Sequence, residues 1–254
     1  MAFTLPFLNH AYHIDETLFL RISEQIKKHP LNPYGFPYNW NIDYEPMHKI
    51  AAFPPLFSYY LAAFDWNRVF TPEWLTHLSI IPFAWMSALS SYFLAMQFGF
   101  SKKLSLFAAC ALVVSPVFVL SSNLAMPDIA ATGLATWAIA LSIRGWKNSS
   151  TLCLVLGGLL LGGATWMRYN AVPLIPIVFL LGLSFSKYKK ASIPAIAATL
   201  VFFCWIGVSS IFSGHAHTAE TLSIFAKTTG WMSRFWAMNT QLTMSTFIPF
   251  FFLP

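Results

Sequence analysis

The sequence predicts an all-α protein: a polytopic transmembrane helix bundle of about seven spans with an outer juxtamembrane helical segment. Three observations lead there. Of 254 residues, 57% are hydrophobic and only 9% are charged, whereas a soluble domain carries about 25% charged residues. Apolar runs of spanning length follow one another along the chain. The short loops between them alternate in charge. Many of the 25 Phe and 10 Trp lie near predicted span ends, where aromatic rings favour the membrane interface. The net charge of +6 is explained by cytoplasmic loops and anionic lipid, and calls for no nucleic-acid partner. Cys110, Cys153 and Cys204 lie within apolar runs without metal-ligand spacing and read as small core residues.

Residues 1–74 form the first predicted unit, an outer-face segment. Ile14, Leu18, Ile22 and Ile26 recur every four residues, which predicts an amphipathic helix from Ile14 to Lys28. Asp15 and Glu16 occupy its first turn, where the helix dipole favours negative charge. A cap for this helix is therefore the plain reading of the pair. The following stretch, His29-Pro30-Leu31-Asn32-Pro33-Tyr34-Gly35-Phe36-Pro37, is too rich in turn formers to be helical throughout. After Pro54-Pro55 a short apolar element, residues 56–64, is too short to cross and suits a helix lying in the interface plane.

The second unit, residues 75–254, holds the spans. They are expected near 75–98, 103–123, 128–146, 151–167, 169–186, 191–212 and 235–254. Arg168, Tyr169 and Asn170 divide the long run 151–186, and Pro173 and Pro176 suit the start of a new helix. Three loops carry Lys102 and Lys103, Arg144 and Lys147, and Lys187, Lys189 and Lys190, with no acid. The positive-inside rule puts these in the cytoplasm. All 9 acidic residues then fall on the outer side. That orientation needs residues 1–74 outside, yet Met1 to Leu8 is too short to span and has no signal-peptide start. The expectation is a further helix ahead of this sequence. The last residues also stop within an apolar run, so both ends read as cut.

Charges near lipid are costly and usually functional. The ordered set His13-Ile14-Asp15-Glu16, His29 to Phe36, Phe53-Pro54-Pro55-Leu56, Met126-Pro127-Asp128 and Trp166-Met167-Arg168-Tyr169-Asn170 resembles the GT-C type membrane glycosyltransferases. The nearest branch is the bacterial family 39 enzymes, relatives of protein O-mannosyltransferases and of the aminoarabinose transferase that modifies lipid A. The resemblance covers roughly residues 9–185. It implies a polyprenyl-phosphate sugar donor and a lipid, glycan or protein acceptor. It further implies transfer with inversion at the outer face of a bacterial inner membrane. No cofactor is certain, and a divalent metal stays open.

By that resemblance Asp15 is the base that takes the acceptor proton, and Glu16 beside it tunes or orients it. A partly desolvated carboxylate next to another is expected to have a raised pKa. Asp128 matches the second acidic position, to hold acceptor hydroxyls or a metal; its plainer reading is an N-cap for a span starting at Ile129. Arg168 is the candidate for the donor phosphate, because guanidinium grips phosphate bidentately; its plainer reading is a snorkelling interfacial arginine. Tyr169 stands with it. Lys49 and His48 are weaker phosphate or acceptor candidates, balanced by the reading of a solvated interfacial charge. His215 and His217 form a His-x-His with no third ligand in sight. Asp43 and Glu45 read as loop surface.

Three other functions share parts of this pattern. A transporter or flippase would have the spans, but tends to place ionisable groups in broken helices at mid-bilayer. A truncated, non-catalytic remnant would keep the motifs without the activity. A polysaccharide polymerase or ligase also uses lipid-linked donors, but rests on outer-face Arg/His clusters rather than an acidic pair.

Overall fold

The computed structural model describes residues 8–40, 43–51, 53–64, 72–185 and 188–213. The chain opens with α1 (Ile14–Lys28), a two-stranded sheet of β1 (Pro37–Asn39) and β2 (Tyr44–Pro46), the short α2 (Met47–Ile50) and α3 (Leu56–Phe64). The bundle follows: α4 (Glu73–Leu78), α5 (Ile81–Gln97), α6 (Lys102–Val114), α7 (Pro116–Asn123), α8 (Asp128–Lys147) and α9 (Thr151–Met167). A single 3-10 turn, Tyr169–Ala171, leads to α10 (Leu174–Phe185) and α11 (Tyr188–Ser213). The all-α expectation holds apart from the small sheet. Its antiparallel register pairs Pro37 with Pro46, Tyr38 with Glu45 and Asn39 with Tyr44.

Two helices, Glu73–Gln97 and Tyr188–Ser209, are long and apolar enough to cross a membrane by themselves. Shorter apolar helices cover Thr151–Met167 and Tyr169–Phe185, and α8 runs for 20 residues beside them. The expected single span over 103–123 is instead a pair, α6 and α7, bent by 61°. The cause is local. Pro116 lacks the N–H that would continue α6 and sits where a proline suits a helix start. Ser115 caps the new helix by accepting from the N–H of Phe118 at 3.3 Å. The expected span over 235–254 lies outside the described residues.

The bundle is built around α9, which packs on α8 and on α11. Small residues permit the approach, as is common where lipid offers no hydrophobic drive for helix association. A Cβ on Gly157 would lie 2.9 Å from the Ala138 carbonyl of α8. One on Gly158 would lie 2.5 Å from the Pro194 carbonyl of α11. At Pro194, inside α11, the ring removes a backbone donor from the helix.

The segment before α4 is fastened to this bundle by two apolar clusters. Phe19, Phe57 and Leu61 pack with Ile80, Ile129 and Met167. Leu18, Ile22 and Ile26 pack with Tyr34, Met47, Ala62 and Trp205 of α11. Thus α3 packs directly on α1 and α9. Of the predicted stripe on α1, Leu18, Ile22 and Ile26 are buried, but Ile14 is exposed and Glu16 is buried near it instead. The groups that approach the first turn are polar, so the carboxylate rather than the isoleucine is drawn inward.

The basic loops meet at one end. The Lys147 ammonium donates to the Gln97 carbonyl, and the Trp146 indole N–H donates to the Lys190 carbonyl at 2.9 Å. Away from that end Glu16 meets Ala125 at the α7–α8 junction, and Asp128 meets Arg168 of the α9–α10 junction.

Candidate active site

The start of α1 is a closed polar knot. His13 precedes the helix, and its Nδ1 accepts from the Asp15 backbone N–H at 3.3 Å. The Glu16 carboxylate in turn accepts from the His13 backbone N–H, which completes a capping box. The other Glu16 oxygen, Oε1, accepts from the Ala125 N–H at 2.5 Å and lies 3.1 Å from His77 Nε2. Both side chains are fully buried. His77 Nδ1 lies 2.8 Å from the Leu8 carbonyl, and the His10 ring stacks on it with centroids 3.9 Å apart. Tyr12 bonds Thr76 beside them at 2.9 Å.

These contacts set the electrostatics of Glu16. Burial alone pushes the Glu16 carboxyl up, but His77, the Ala125 N–H and the His13 N–H together hold it below the usual glutamate range. It is an ionised anchor rather than a poised acid. Asp15 next to it points out, with about half of its side chain exposed.

Asp128 does not cap a span starting at Ile129. It is itself the first residue of α8, behind Pro127, which makes no side-chain cap. Its carboxylate pairs with the Arg168 guanidinium across the bundle. Arg168 is held there because the chain leaves α9 in an extended conformation at that residue before the 3-10 turn begins. The pair is more than one-third exposed on both sides. It borders a cleft of ≈ 160 Å³ with Thr132, Ala135, Asn170 and Ala171. The snorkelling reading of Arg168 therefore gives way to a specific partner.

The remaining candidates fall elsewhere. The Tyr169 hydroxyl accepts from the Trp205 indole N–H at 3.0 Å and so ties the 3-10 turn to α11. His48, half-buried, lines an open depression of ≈ 340 Å³ beside α2 with Asn32, Tyr34 and Phe36. Lys49 is exposed on α2, and Asp43 and Glu45 are exposed at the sheet. His215 and His217 lie outside the described residues. The structure thus brings together Glu16 with the α7–α8 turn, and Asp128 with Arg168.

Sequence reasoning missed His77, His10 and Ala125. For His77 a signal existed, a lone imidazole in the first turns of an apolar run. For Ala125 there was none, because its contribution is a backbone N–H. Among the described residues one group could hold a metal: His10, Glu16 and His77 offer ligand atoms that all lie within 4.8 Å of one another.

A family model described as dolichyl-phosphate-mannose-protein mannosyltransferase matches residues 54–211. No curated protein sequence matches the chain. Among solved structures, the fold resembles the crystal structure of ArnT from Cupriavidus metallidurans bound to undecaprenyl phosphate. The TM-score is 0.62 at 14% identity, over 85% of this chain and 40% of that one. The chain thus spans less than half of the length of the structure it matches.

Proposed function

This chain belongs to the dolichyl-phosphate-mannose-protein mannosyltransferase family, and on that basis we propose that it moves a sugar from a polyprenyl-phosphate donor to an acceptor hydroxyl. The observation that carries the reading is the half-exposed Asp128–Arg168 pair bordering a cleft. It sits beside the α7–α8 turn to which Glu16 ties the start of α1. A base, a second carboxylate and a phosphate-binding cation are thus carried by neighbouring elements.

The acceptor oxygen attacks the anomeric carbon, the carbon–oxygen bond to phosphate breaks, and polyprenyl phosphate leaves with inversion. Asp15, half-exposed with its carboxylate 3.9 Å from His13 Nδ1, takes the acceptor proton. Glu16 positions Asp15 by locking the first turn of α1 to Ala125 and His77. Arg168 has five N–H donors in a fixed fork, so it can grip a donor phosphate bidentately. Binding of the phosphate competes with Asp128 for the guanidinium and frees that carboxylate to hold acceptor hydroxyls. The cleft is smaller than a whole-ligand pocket of about 300 Å³ or more, which suits a site that holds only the polar head of a lipid-borne donor. The reactive end is the face opposite the basic loops, the periplasmic face of a bacterial inner membrane by the positive-inside rule.

The test uses right-side-out vesicles carrying the chain, a polyprenyl-phosphate sugar and a membrane-impermeant acceptor. Glycosylation of the acceptor is expected, and Asp15→Asn abolishes it while membrane insertion stays intact. Unchanged transfer by Asp15→Asn removes the base assignment, and transfer confined to everted vesicles reverses the face.

A further inference from the structure

The basic end of the bundle carries a groove that the transferase reading does not use. It runs between α5 and α6 with a volume of ≈ 580 Å³, within the range of about 300–1,000 Å³ usual for ligand sites. Trp85 and Leu89 of α5 and Leu106, Cys110 and Val113 of α6 form its walls. Lys102 and Lys103, the first two residues of α6, stand at one end. The groove follows from the sequence of α6. This helix packs on α5 and α7, and its only buried residues are the small Ser105 and Ala109. Small side chains at the contact leave a gap beside the larger ones, and Leu104, Leu106, Phe107 and Val114 stay exposed.

Length and charge decide the occupant. From Lys103 to Val114 the helix rises about 17 Å, at about 1.5 Å per residue. One leaflet of a bilayer has a hydrocarbon depth of about 15 Å, half of a core of about 30 Å. The groove therefore matches one acyl chain reaching from headgroup level to mid-bilayer. A straight helix from a protein partner would lose contact where α6 gives way to α7 by a bend of 61°; a lipid chain that ends there loses nothing. Neither Lys102 nor Lys103 is paired with an acid among the described residues. Two unpaired ammonium groups above an apolar groove call for an anionic headgroup, the ligand that basic pockets between transmembrane helices take. A choline or ethanolamine headgroup would bring a cation of its own against them.

We propose that the α5–α6 groove binds an anionic phospholipid of the phosphatidylglycerol class. The phosphate sits at Lys102 and Lys103, and one acyl chain lies along Leu106, Cys110 and Val113 against Trp85 and Leu89. The lipid completes the packing of a helix that the protein covers on one side alone. By the positive-inside orientation its headgroup belongs to the cytoplasmic leaflet, where anionic lipid is found. That end lies away from the cleft at Asp128 and Arg168, so this lipid is a structural partner and not the sugar donor.

The test uses the full chain in detergent and a phosphatidylglycerol carrying a photoactivatable diazirine near the end of one acyl chain. Irradiation and peptide mapping are expected to place the label between Trp85 and Val114. Plain phosphatidylglycerol is expected to compete about 30-fold better than phosphatidylcholine with the same chains, the scale of two lysine contacts with an anionic lipid. Lys102→Gln/Lys103→Gln lowers its affinity by about the same factor. Lys189→Gln/Lys190→Gln, also at the basic end, changes it by less than about twofold, because salt screens more distant charges. Cys110→Trp, at an exposed residue, fills the groove and removes the label. Equal competition by the two lipids, equal loss in the two lysine variants, or label spread over every helix means ordinary annular lipid only, and overturns the proposal. So does equal competition by glycerol 3-phosphate, which makes the lysines a free-phosphate site. A dimer that Cys110→Trp dissociates makes the groove a protein interface and overturns it too. Every readout is independent of sugar transfer, so the two proposals fail separately.

Discussion

Glu16 at the start of α1 and Asp128 at the start of α8 are acids of similar chemistry, both in the first turn of a helix and both away from the basic loops. Their surroundings differ in one respect that matters. Glu16 is fully buried and bonded to two backbone N–H donors and His77. Around Asp128 there is one partner, Arg168, and then an opening. A buried carboxylate held by two backbone N–H donors and an imidazole ties segments of the chain together. A half-exposed ion pair contributes little to stability, because water competes for both members, and for the same reason it can exchange its partner for a substrate. The family resemblance gave both acids to catalysis. The contrast separates a sealed carboxylate from one open to a ligand.

The largest effect that could break this contrast is on stability at Glu16. Glu16→Ala strands the Ala125 and His13 N–H groups and leaves His77 without its acid. Removing one member of a buried charged network typically costs about 3–5 kcal/mol, and thermal unfolding in detergent should read a loss of that order. A loss below about 1 kcal/mol would place Glu16 in the same class as Asp128. The next largest effect is on turnover at Asp128. Asp128→Asn should slow sugar transfer by about 100-fold or more, the usual scale for removing a proton-handling or substrate-orienting carboxylate. The same variant should leave the melting curve within about 1 kcal/mol of the parent. An inactive variant that also unfolds early would show Asp128 to be an anchor after all.

The smallest effect sharpens the description of the segment before α4 as a closed region. Tyr34 is buried, and its hydroxyl donates to the Phe53 carbonyl at 2.6 Å. Burial pushes its phenol well above the usual value of 10.0. The unfolded chain loses that proton first, so the stabilisation is present below pH 10 and fades as pH rises beyond it. Melting temperature should therefore fall on the alkaline side, and Tyr34→Phe should flatten that fall. At neutral pH the variant costs only about 1 kcal/mol, the net value of one hydrogen bond. An unchanged alkaline slope would mean that water reaches the Tyr34 hydroxyl.

Much of the fold was legible because its signals are local. The α1 boundaries followed from the spacing of Leu18, Ile22 and Ile26 between His13 and His29, and the division at Arg168 followed from polar residues within an apolar run. The bend at Ser115-Pro116 was equally visible, but an apolar stretch of spanning length outweighed the proline. The short sheet was missed because its strands are three residues each, and neither has an alternating pattern to read. At the site, Asp128 and Arg168 were each legible as charges near lipid. Their pairing was not, since it joins residues 40 positions apart.

By itself the sequence determined that this is an integral membrane protein of helices, which residues carry charge, and which family it joins. Composition and short-range periodicity decide those points, because a run of apolar residues must leave water whatever it later touches. Only the tertiary structure decided that Glu16 is sealed and Asp128 open. It alone brought His10 and His77 to the acidic pair and set Arg168 against Asp128. The environment of a carboxylate is made by groups distant in the chain, among them backbone N–H donors that no side-chain pattern records. Burial and hydrogen bonding by those groups, rather than the identity of the acid, divide the two roles.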